Sequence, residues 1–355
     1  MKKHLLKHLK ILLLLFSALI LGGWSELKTL PIQHGGRIEP LDTFSKDVVR
    51  LVTGKSSFQG MQSIEVIVAW LADSAQWANK PIVQVSSGEL RQKLNLPKDQ
   101  KYFSYQELIQ HPSLQQYGEE VFHKNQREEK LSPIEQAMDR LSTQLLLFEK
   151  VSQGELWAII PHPEHHQENW LSLAQLKDLP QTPNVQEFAV TLHGMLTAYT
   201  QKDWKTFQLT SLKIKQLLSE FSKDMTNGGY PYSTTLGLEV FYHDFHPFRK
   251  AWIFYLIAGL GFVLYLLTHL KLIKYLSSIS LALALSAHLL GFYLRCTVTG
   301  RPPVGTMYES VVWVSLGIMI FSFWISYQFR NAMAILLACF VSAIGLILAD
   351  QFPLI

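Results

Sequence analysis

The sequence predicts a mainly α-helical membrane protein: a polytopic helix bundle of four or five spans with a large, mostly helical extracytoplasmic domain. Three observations predict this class. The 355 residues are 48% hydrophobic and have a mean hydropathy of +0.12, which is too apolar for an ordinary soluble protein. The long apolar runs lie before residue 25 and after residue 250, whereas residues 25–250 have a soluble composition. Basic residues cluster beside the apolar runs, as they do in membrane proteins.

The first apolar segment covers residues 11–21 and precedes two glycines. A cluster of lysines comes before it: Lys2, Lys3, Lys7 and Lys10. This pattern predicts either a cleaved signal peptide or a short uncleaved anchor over residues 1–24. No clear small-residue cleavage motif follows, which favours the anchor and leaves the signal peptide open.

The membrane domain is predicted over residues 251–355. Residues 251–269 would rise about 28 Å as a helix, which matches a hydrocarbon core of roughly 30 Å. Further spans are expected at 275–294, 311–328 and 332–349. The count is therefore four spans, or five with the anchor.

Basic residues in the short flanks predict the orientation. One set comprises Lys2, Lys3, Lys7, Lys10, Lys271, Lys274 and Arg330, and the other comprises Arg249, Lys250, Arg295 and Arg301. The positive-inside rule makes the larger set cytoplasmic. The domain over 25–250, the loop over 295–310 and the C-terminus are then extracytoplasmic, on a bacterial inner membrane.

Apolar residues recur at helical spacing in the external domain. The spacing predicts helices over 62–76, 133–150 and 203–225, and short strands over 81–85 and 156–160.

Composition excludes several classes of function. The net charge of +4 comes from segments of mixed sign, so nucleic-acid binding is not indicated. Two cysteines, Cys296 and Cys339, provide no disulfide framework, no redox motif and no C-x-x-C-H haem attachment site. No nucleophile and base pair is visible by spacing, so no catalytic residue is predicted. No metal site is predicted either, because no cluster of metal-ligating side chains has a suitable spacing.

The loop over residues 295–310 is unusually rich in stiff, charged and hydrogen-bonding side chains. They are Arg301, Pro302, Pro303, Tyr308, Glu309 and Ser310. Such a mixture beside a bilayer predicts a binding loop. The alternative is a structural loop in which Arg301 and Glu309 neutralise each other.

His288 lies within the span over 275–294, roughly 9 Å from its outer end. Ionisable groups inside a membrane are functional hypotheses by default, and imidazole ligates haem iron. Helical spacing puts Phe292 and Arg295 on the same face, which would offer haem an aromatic wall and a cation for a propionate. The alternative is a neutral histidine hydrogen-bonded to a serine.

A second dense segment runs from Leu30 to Phe44. It carries His34, Gly35, Gly36, Arg37 and Asp42, which together predict a fixed external loop. Asp42 or Thr43 is expected to cap the helix that follows.

The remaining histidines carry weaker predictions. His162, His165 and His166 are interpreted as a solvated loop, because Pro163 prevents helical presentation of metal ligands. His243 and His246 are expected at the membrane interface, where anchoring explains them as well as ligand binding does. His269 is expected to reach water at the end of a span.

Two of these segments share a family resemblance. Gly300-Arg-Pro-Pro-Val-Gly-Thr-Met-Tyr-Glu-Ser310 resembles the G-R-P-P-V-T-N-L-Y-E-S segment of the CcsA/ResC family of cytochrome c biogenesis proteins. Leu30 to Phe44 resembles the P-V-Q-H-G-G-R-x-x-P-L-D-T segment of long fused members of that family. This chain has Gly305-Thr306 where the family often has Thr-Asn, which is expected to loosen the backbone there.

The resemblance implies a membrane subunit of the system II machinery, which carries haem outward for attachment to apocytochrome c. Haem is then substrate rather than resident cofactor. The family's tryptophan-rich "WWD" segment is missing from this sequence, so the chain resembles the front part of a longer member, either a split synthase or a truncated product. The expected partners are haem, apocytochrome c, membrane lipid and another biogenesis subunit, ResB-like or WWD-bearing.

On this interpretation the chain is at most part of a cytochrome c haem lyase complex and is inactive alone. A non-catalytic scaffold that recruits an apocytochrome or a partner protein is the first alternative. A small-molecule transporter is the second, although no inverted repeat of broken helices is visible. The sequence leaves open which cytochrome is served, which residues ligate haem and whether its C-terminus is natural.

Overall fold

The computed structural model describes residues 24–161, 169–179, 182–225, 234–302, 305–330 and 332–351. The chain divides into two compact units, residues 1–232 and residues 233–355. The first apolar segment, residues 162–168 with their histidines, and Pro303 lie outside the described residues.

The first unit is mainly helical. Its helices are α1 (Leu41–Thr53), α2 (Ser63–Ala72), α3 (Ser74–Ala78), α4 (Gly88–Lys93), α5 (Tyr105–Ile109), α6 (Pro112–Gln126), α7 (Pro133–Ser152), α8 (Pro183–Thr200) and α9 (Trp204–Met225), with a 3₁₀ helix at Leu173–Asp178. Its strands form antiparallel pairs: β1 (Pro31–His34) with β2 (Arg37–Pro40), β3 (Ser57–Phe58) with β4 (Met61–Gln62), β5 (Pro81–Gln84) with β6 (Tyr102–Ser104), and β7 (Ala158–Ile160) with β8 (Leu171–Ser172).

The core of this unit is built around α2, which packs against α1, α7 and α8. Trp70 of α2 is fully buried and meets the ring of Phe148 edge-on at 5.2 Å. The sequence predicted one helix over 62–76, but the helix breaks at Asp73. The Asp73 carboxylate accepts a hydrogen bond from the Gln76 backbone N–H and caps the next helix instead.

The second unit is a bundle of long apolar helices. They are α10 (Thr234–Phe245), α11 (Pro247–Thr268), α12 (Lys271–Thr299), α13 (Met307–Phe329) and α14 (Met333–Gln351). Among the described residues, four helical segments are long and apolar enough to cross a membrane: 234–268, 271–299, 307–329 and 333–350. The predicted class, a mainly α polytopic fold, is confirmed.

The helices of the bundle pack in the order α12, α11, α14, α13. Small residues and interhelical hydrogen bonds bring them together, as is usual in membranes. Ser280 of α12 donates to the Phe254 carbonyl of α11 at 2.8 Å, and Ser342 of α14 donates to the Ser315 carbonyl of α13 at 2.9 Å. Gly261 has room for no side chain, because a Cβ there would lie 2.2 Å from Ser277 Oγ.

Helix α10 is grouped with the membrane helices, whereas hydropathy alone placed the domain boundary at residue 250. Its contacts with α12 explain the difference. Tyr242 of α10 is buried in the same apolar cluster as Phe248 and Tyr255 of α11. A helix that is only moderately apolar can thus belong to the membrane unit through one buried face.

Candidate functional site

The candidate site lies where α12 ends and α13 begins, at the end of the bundle that we call the loop end. Helix α12 stops at Gly300, whose left-handed backbone (φ 64°) donates its N–H to the Cys296 carbonyl. Helix α13 starts after Thr306, whose hydroxyl accepts from the Glu309 N–H at 3.2 Å. Two well-formed caps therefore fix the connection on both sides.

Glu309 organises this connection from inside the protein. Its side chain is buried, and Oε2 accepts from the backbone N–H groups of Gly305 (2.9 Å) and Thr306 (3.2 Å). Its other oxygen, Oε1, accepts from Arg295 Nε at 3.2 Å. The Thr306 and Glu309 pair is a reciprocal capping box, which the sequence T-x-x-E encodes.

The two arginines of the loop differ in exposure. The Arg295 side chain is 16% exposed and lies over the Tyr308 ring at 5.8 Å. The Arg301 side chain is 55% exposed, and its Nη2 is 4.0 Å from Glu309 Oε2. Arg295 is therefore the main counter-ion of Glu309, and the Arg301 side chain is the more exposed of the two.

Gly305 is held firmly, contrary to the expectation that glycine would loosen this backbone. Its N–H is bound by the Glu309 carboxylate, and a Cβ there would lie 2.8 Å from Arg301 Nη1. Glycine at this position lets the Arg301 guanidinium lie against the backbone. Pro302 and Ser310 are exposed, and Ser310 Oγ donates to the Thr306 carbonyl at 3.1 Å.

Aromatic rings lie beside these charges. Phe292 of α12 packs against Trp313 of α13 with ring centroids 5.3 Å apart, and Trp313 is 47% exposed. Tyr308 exchanges a hydrogen bond of 3.0 Å with the hydroxyl of Tyr242 on α10. The loop end thus combines an exposed guanidinium with a partly exposed aromatic pair at the predicted membrane boundary.

His288 is fully buried, and both of its ring nitrogens have partners. Nδ1 lies 3.2 Å from the Tyr255 hydroxyl, and Nε2 lies 3.2 Å from the Val312 carbonyl oxygen. The carbonyl can only accept, so Nε2 carries the proton and Nδ1 accepts from Tyr255. The partners are a tyrosine and a backbone carbonyl rather than a serine. Coordination of iron by either ring nitrogen would displace the hydrogen-bond partner of that nitrogen.

Phe248 connects His288 to the loop. Its ring meets the rings of His288 (5.7 Å) and Tyr308 (6.2 Å) edge-on. Gly291 makes this contact possible, because a Cβ there would lie 2.9 Å from Phe248 and 3.0 Å from Pro247. Sequence reasoning missed Phe248, Tyr242 and Tyr255, which lie on helices other than the one that carries the histidine. The available signal in the sequence was the high density of aromatic residues between positions 241 and 255.

The second predicted segment forms the β1–β2 hairpin of the first unit. Its two-residue turn, Gly35-Gly36, has φ values of 58° and 80°, which favour glycine. The Glu39 carboxylate is buried and binds two exposed side chains: the guanidinium of Arg37 through Nη2 at 2.6 Å and the imidazole of His34 through Nδ1 at 3.2 Å. The hydrogen bond with Glu39 raises the pKa of His34 above its ordinary value.

The N-cap residue of α1 is Pro40, rather than Asp42 or Thr43 as expected. Helix α1 begins at Leu41 after Pro40, so Asp42 lies inside the first turn. Its buried carboxylate pairs with Lys46 at 2.6 Å and lies 3.9 Å from Lys28. A carboxylate in the first turn stabilises the helix through the macrodipole, which explains an acidic residue there without a cap.

The other predicted histidines lie at helix ends. His243 Nε2 is 4.0 Å from Glu239 Oε1, and His246 adopts a left-handed backbone between α10 and α11. His269 ends α11 and is exposed.

Fold and site together define a multi-pass membrane protein of mainly α class with a polar loop at one end of its bundle. The chain is 25% identical over 310 residues to Protein NrfI of Wolinella succinogenes, an alignment that covers 81% of this chain. The chain spans about a third of the length of that curated relative, because the alignment covers 32% of it. No protein-family model matches the chain.

Proposed function

We propose that the chain takes part in cytochrome c biogenesis as a membrane subunit that binds haem at the loop end and presents it for attachment to apocytochrome c. The resemblance of the two motifs to the CcsA/ResC family supports this role. The similarity to NrfI supports the family resemblance, because it extends over most of the chain rather than over the motifs alone.

One observation carries the haem-binding part of the proposal. The exposed guanidinium of Arg301 and the partly exposed Phe292–Trp313 pair lie at the same end of α12 and α13. Haem has an aromatic macrocycle and two propionates, so it would bind where an aromatic surface adjoins a cation. Arg295 is mostly buried and lies closer to Glu309 than Arg301 does, so we assign the more exposed Arg301 as the cation for a propionate.

We propose that covalent attachment draws on a WWD-bearing or ResB-like chain. The resemblance puts the family's principal haem histidines beside the WWD segment, and that chain would supply them. The chain alone would bind and orient haem, and we assign it no catalytic residue. Residues 25–250 and the loop end would then be extracytoplasmic, on the inner membrane.

Haem titration of the purified full chain in detergent tests the proposal. Arg301→Gln and Trp313→Ala should each weaken haem binding several-fold, as followed by the Soret absorption band. Trp324→Ala is the matched control, because Trp324 is 55% exposed on the same helix and stacks on Phe321 at 5.2 Å. Equal losses in all three variants would show non-specific haem binding to apolar helices.

His288→Ala separates two versions of the proposal. If His288 ligates iron, the variant loses the bis- or mono-imidazole spectrum of the bound haem. If the Soret band is unchanged, His288 serves to join α11, α12 and α13, and the iron ligand lies elsewhere.

A second candidate function is a non-catalytic scaffold. The two hydrogen bonds of His288 favour it, because they leave neither nitrogen free in the described conformation. A scaffold would bind no haem at all. It would still retain an apocytochrome c or a WWD-bearing or ResB-like subunit in a pull-down from a mixture of the purified proteins.

A further inference from the structure

The end of the bundle opposite the loop contains a cavity that the proposed function does not use. Its volume is about 480 Å³, within the range of ligand pockets. Its lining is almost entirely apolar and comes from all four long helices, with Leu266, Leu285, Phe323 and Leu336 as examples. Lys274, Ser278 and the Tyr265 hydroxyl are the polar groups among the lining residues.

The wall that α12 contributes to the cavity is as long as half of a bilayer is thick. It runs from Lys274 to Leu285, which is about 16 Å along the helix axis. One leaflet contributes roughly 15 Å of hydrocarbon. This wall therefore extends from the predicted membrane boundary at Lys274 to the depth that the acyl chains of one leaflet reach.

The packing order of the helices explains why this space exists. Helices α12 and α13 are the outer members of the bundle and are joined at the loop end by side chains such as Arg295 and Glu309. Towards the opposite end, α11 and α14 pack between them, and the side chain of Ala282 faces the gap. A small residue there keeps the space open.

The charged residues at the end of the bundle opposite the loop are all basic. Between residues 251 and 349 the sequence has a single acidic residue, Glu309, which belongs to the loop end. Lys271, Lys274 and Arg330 flank the helices at the other end. Lys274 Nζ lies 5.7 Å from the centroid of the Tyr265 ring, so its ammonium group lies over a residue that lines the cavity.

We propose that this cavity binds one anionic phospholipid, with an acyl chain along α12 against the ends of α11 and α14, and the headgroup phosphate at Lys274. The apolar lining suits the chain, and the cationic Lys274 without a nearby carboxylate selects the headgroup charge. The site is independent of the proposed haem function, so either can fail without the other.

Native mass spectrometry of the purified full chain tests this site. The chain is exchanged into micelles that contain equal amounts of phosphatidylglycerol and phosphatidylcholine, and the retained lipid is counted. We expect one phosphatidylglycerol to be retained in preference. Lys274→Gln should reduce that preference about fivefold, the effect of roughly one cation near a headgroup. Lys271→Gln is the matched control, since Lys271 is on the same helix but outside the cavity lining.

A second variant tests the acyl-chain pocket. Ala282→Trp fills the cavity and should abolish retention of both lipids, whereas Leu283→Trp changes an exposed neighbour and should leave it intact. The proposal is overturned if the wild-type chain retains no lipid, if it retains both lipids equally, or if Lys271→Gln lowers the preference as much as Lys274→Gln. Circular dichroism of each variant confirms that a loss of lipid is not a loss of fold.

Discussion

Both motifs are built on a buried glutamate, but the two glutamates bind different groups. Glu309 binds two backbone N–H groups and the mostly buried Arg295, so it fixes the path of the chain. Glu39 binds His34 and Arg37, whose side chains are 41% and 52% exposed. The first carboxylate closes a loop, whereas the second holds an arginine and a histidine side chain at the surface.

The two buried carboxylates therefore have different structural roles. A carboxylate bonded to backbone groups cannot be removed without leaving buried donors unpaired, so its replacement should act mainly on stability. Replacement of a carboxylate that is bonded to exposed basic side chains should mainly change the orientation and the protonation of those side chains. The four predictions below sharpen or break that distinction, from the largest expected effect to the smallest.

Glu309→Ala is expected to cost about 3–5 kcal/mol of unfolding free energy, because it leaves the Arg295 guanidinium and two backbone N–H groups without their acceptor. Unfolding in mixed detergent and SDS micelles measures the loss. Ser310→Ala is the control, since it removes one exposed hydroxyl contact on the same helix. A Glu309→Ala variant as stable as Ser310→Ala would show that the buried carboxylate does not hold the loop.

Gly291→Ala should destabilise the loop end by about 1–3 kcal/mol. The added methyl carbon would lie 2.9 Å from Phe248 and 3.0 Å from Pro247, which is closer than van der Waals contact. Gly317→Ala is the matched control in α13, where a Cβ meets nothing within 4 Å. The same unfolding assay compares them. If the two alanine variants were equally stable, close packing of α11 on α12 would not be needed to place His288.

The hairpin and the loop also differ in what their glycines do. Gly36→Ala should cost about 1–2 kcal/mol, because an L-residue at φ 80° is strained even though its Cβ has room. Gly305→Ala should cost less, because only the movable end of Arg301 is in the way, and it should instead displace that guanidinium. The Gly305→Ala variant would then show weaker haem binding at near-normal stability. A reversed order of the two stabilities would contradict this assignment.

The sequence predicts most of the architecture and little of the site geometry. Span positions follow from hydropathy, which is a property of single segments, so the predicted spans lie within α11 to α14 to within a few residues. The partners of His288 come from two other helices, and spacing along one helix cannot identify them. The break at Asp73 was missed because apolar spacing continues across it, and only the local cap reveals the end of α2.

The smallest predicted effect concerns the protonation of His34. Glu39 raises the pKa of His34 above the ordinary value of 6.5, so the ion pair contributes its full stability below that pH and loses it as the pH rises through the folded pKa. The contribution should stay under about 1 kcal/mol, because the imidazole is 41% exposed and solvent screens the pair. Histidine-selective NMR of the full chain, with His34→Gln to assign the signal, measures the pKa. Glu39→Gln should lower it, whereas Asp42→Asn, which changes a carboxylate paired with lysines, should shift it less. A wild-type His34 that titrates at or below 6.5 would mean that Glu39 does not hold the imidazolium, and the contrast with Glu309 would then rest on Arg37 alone.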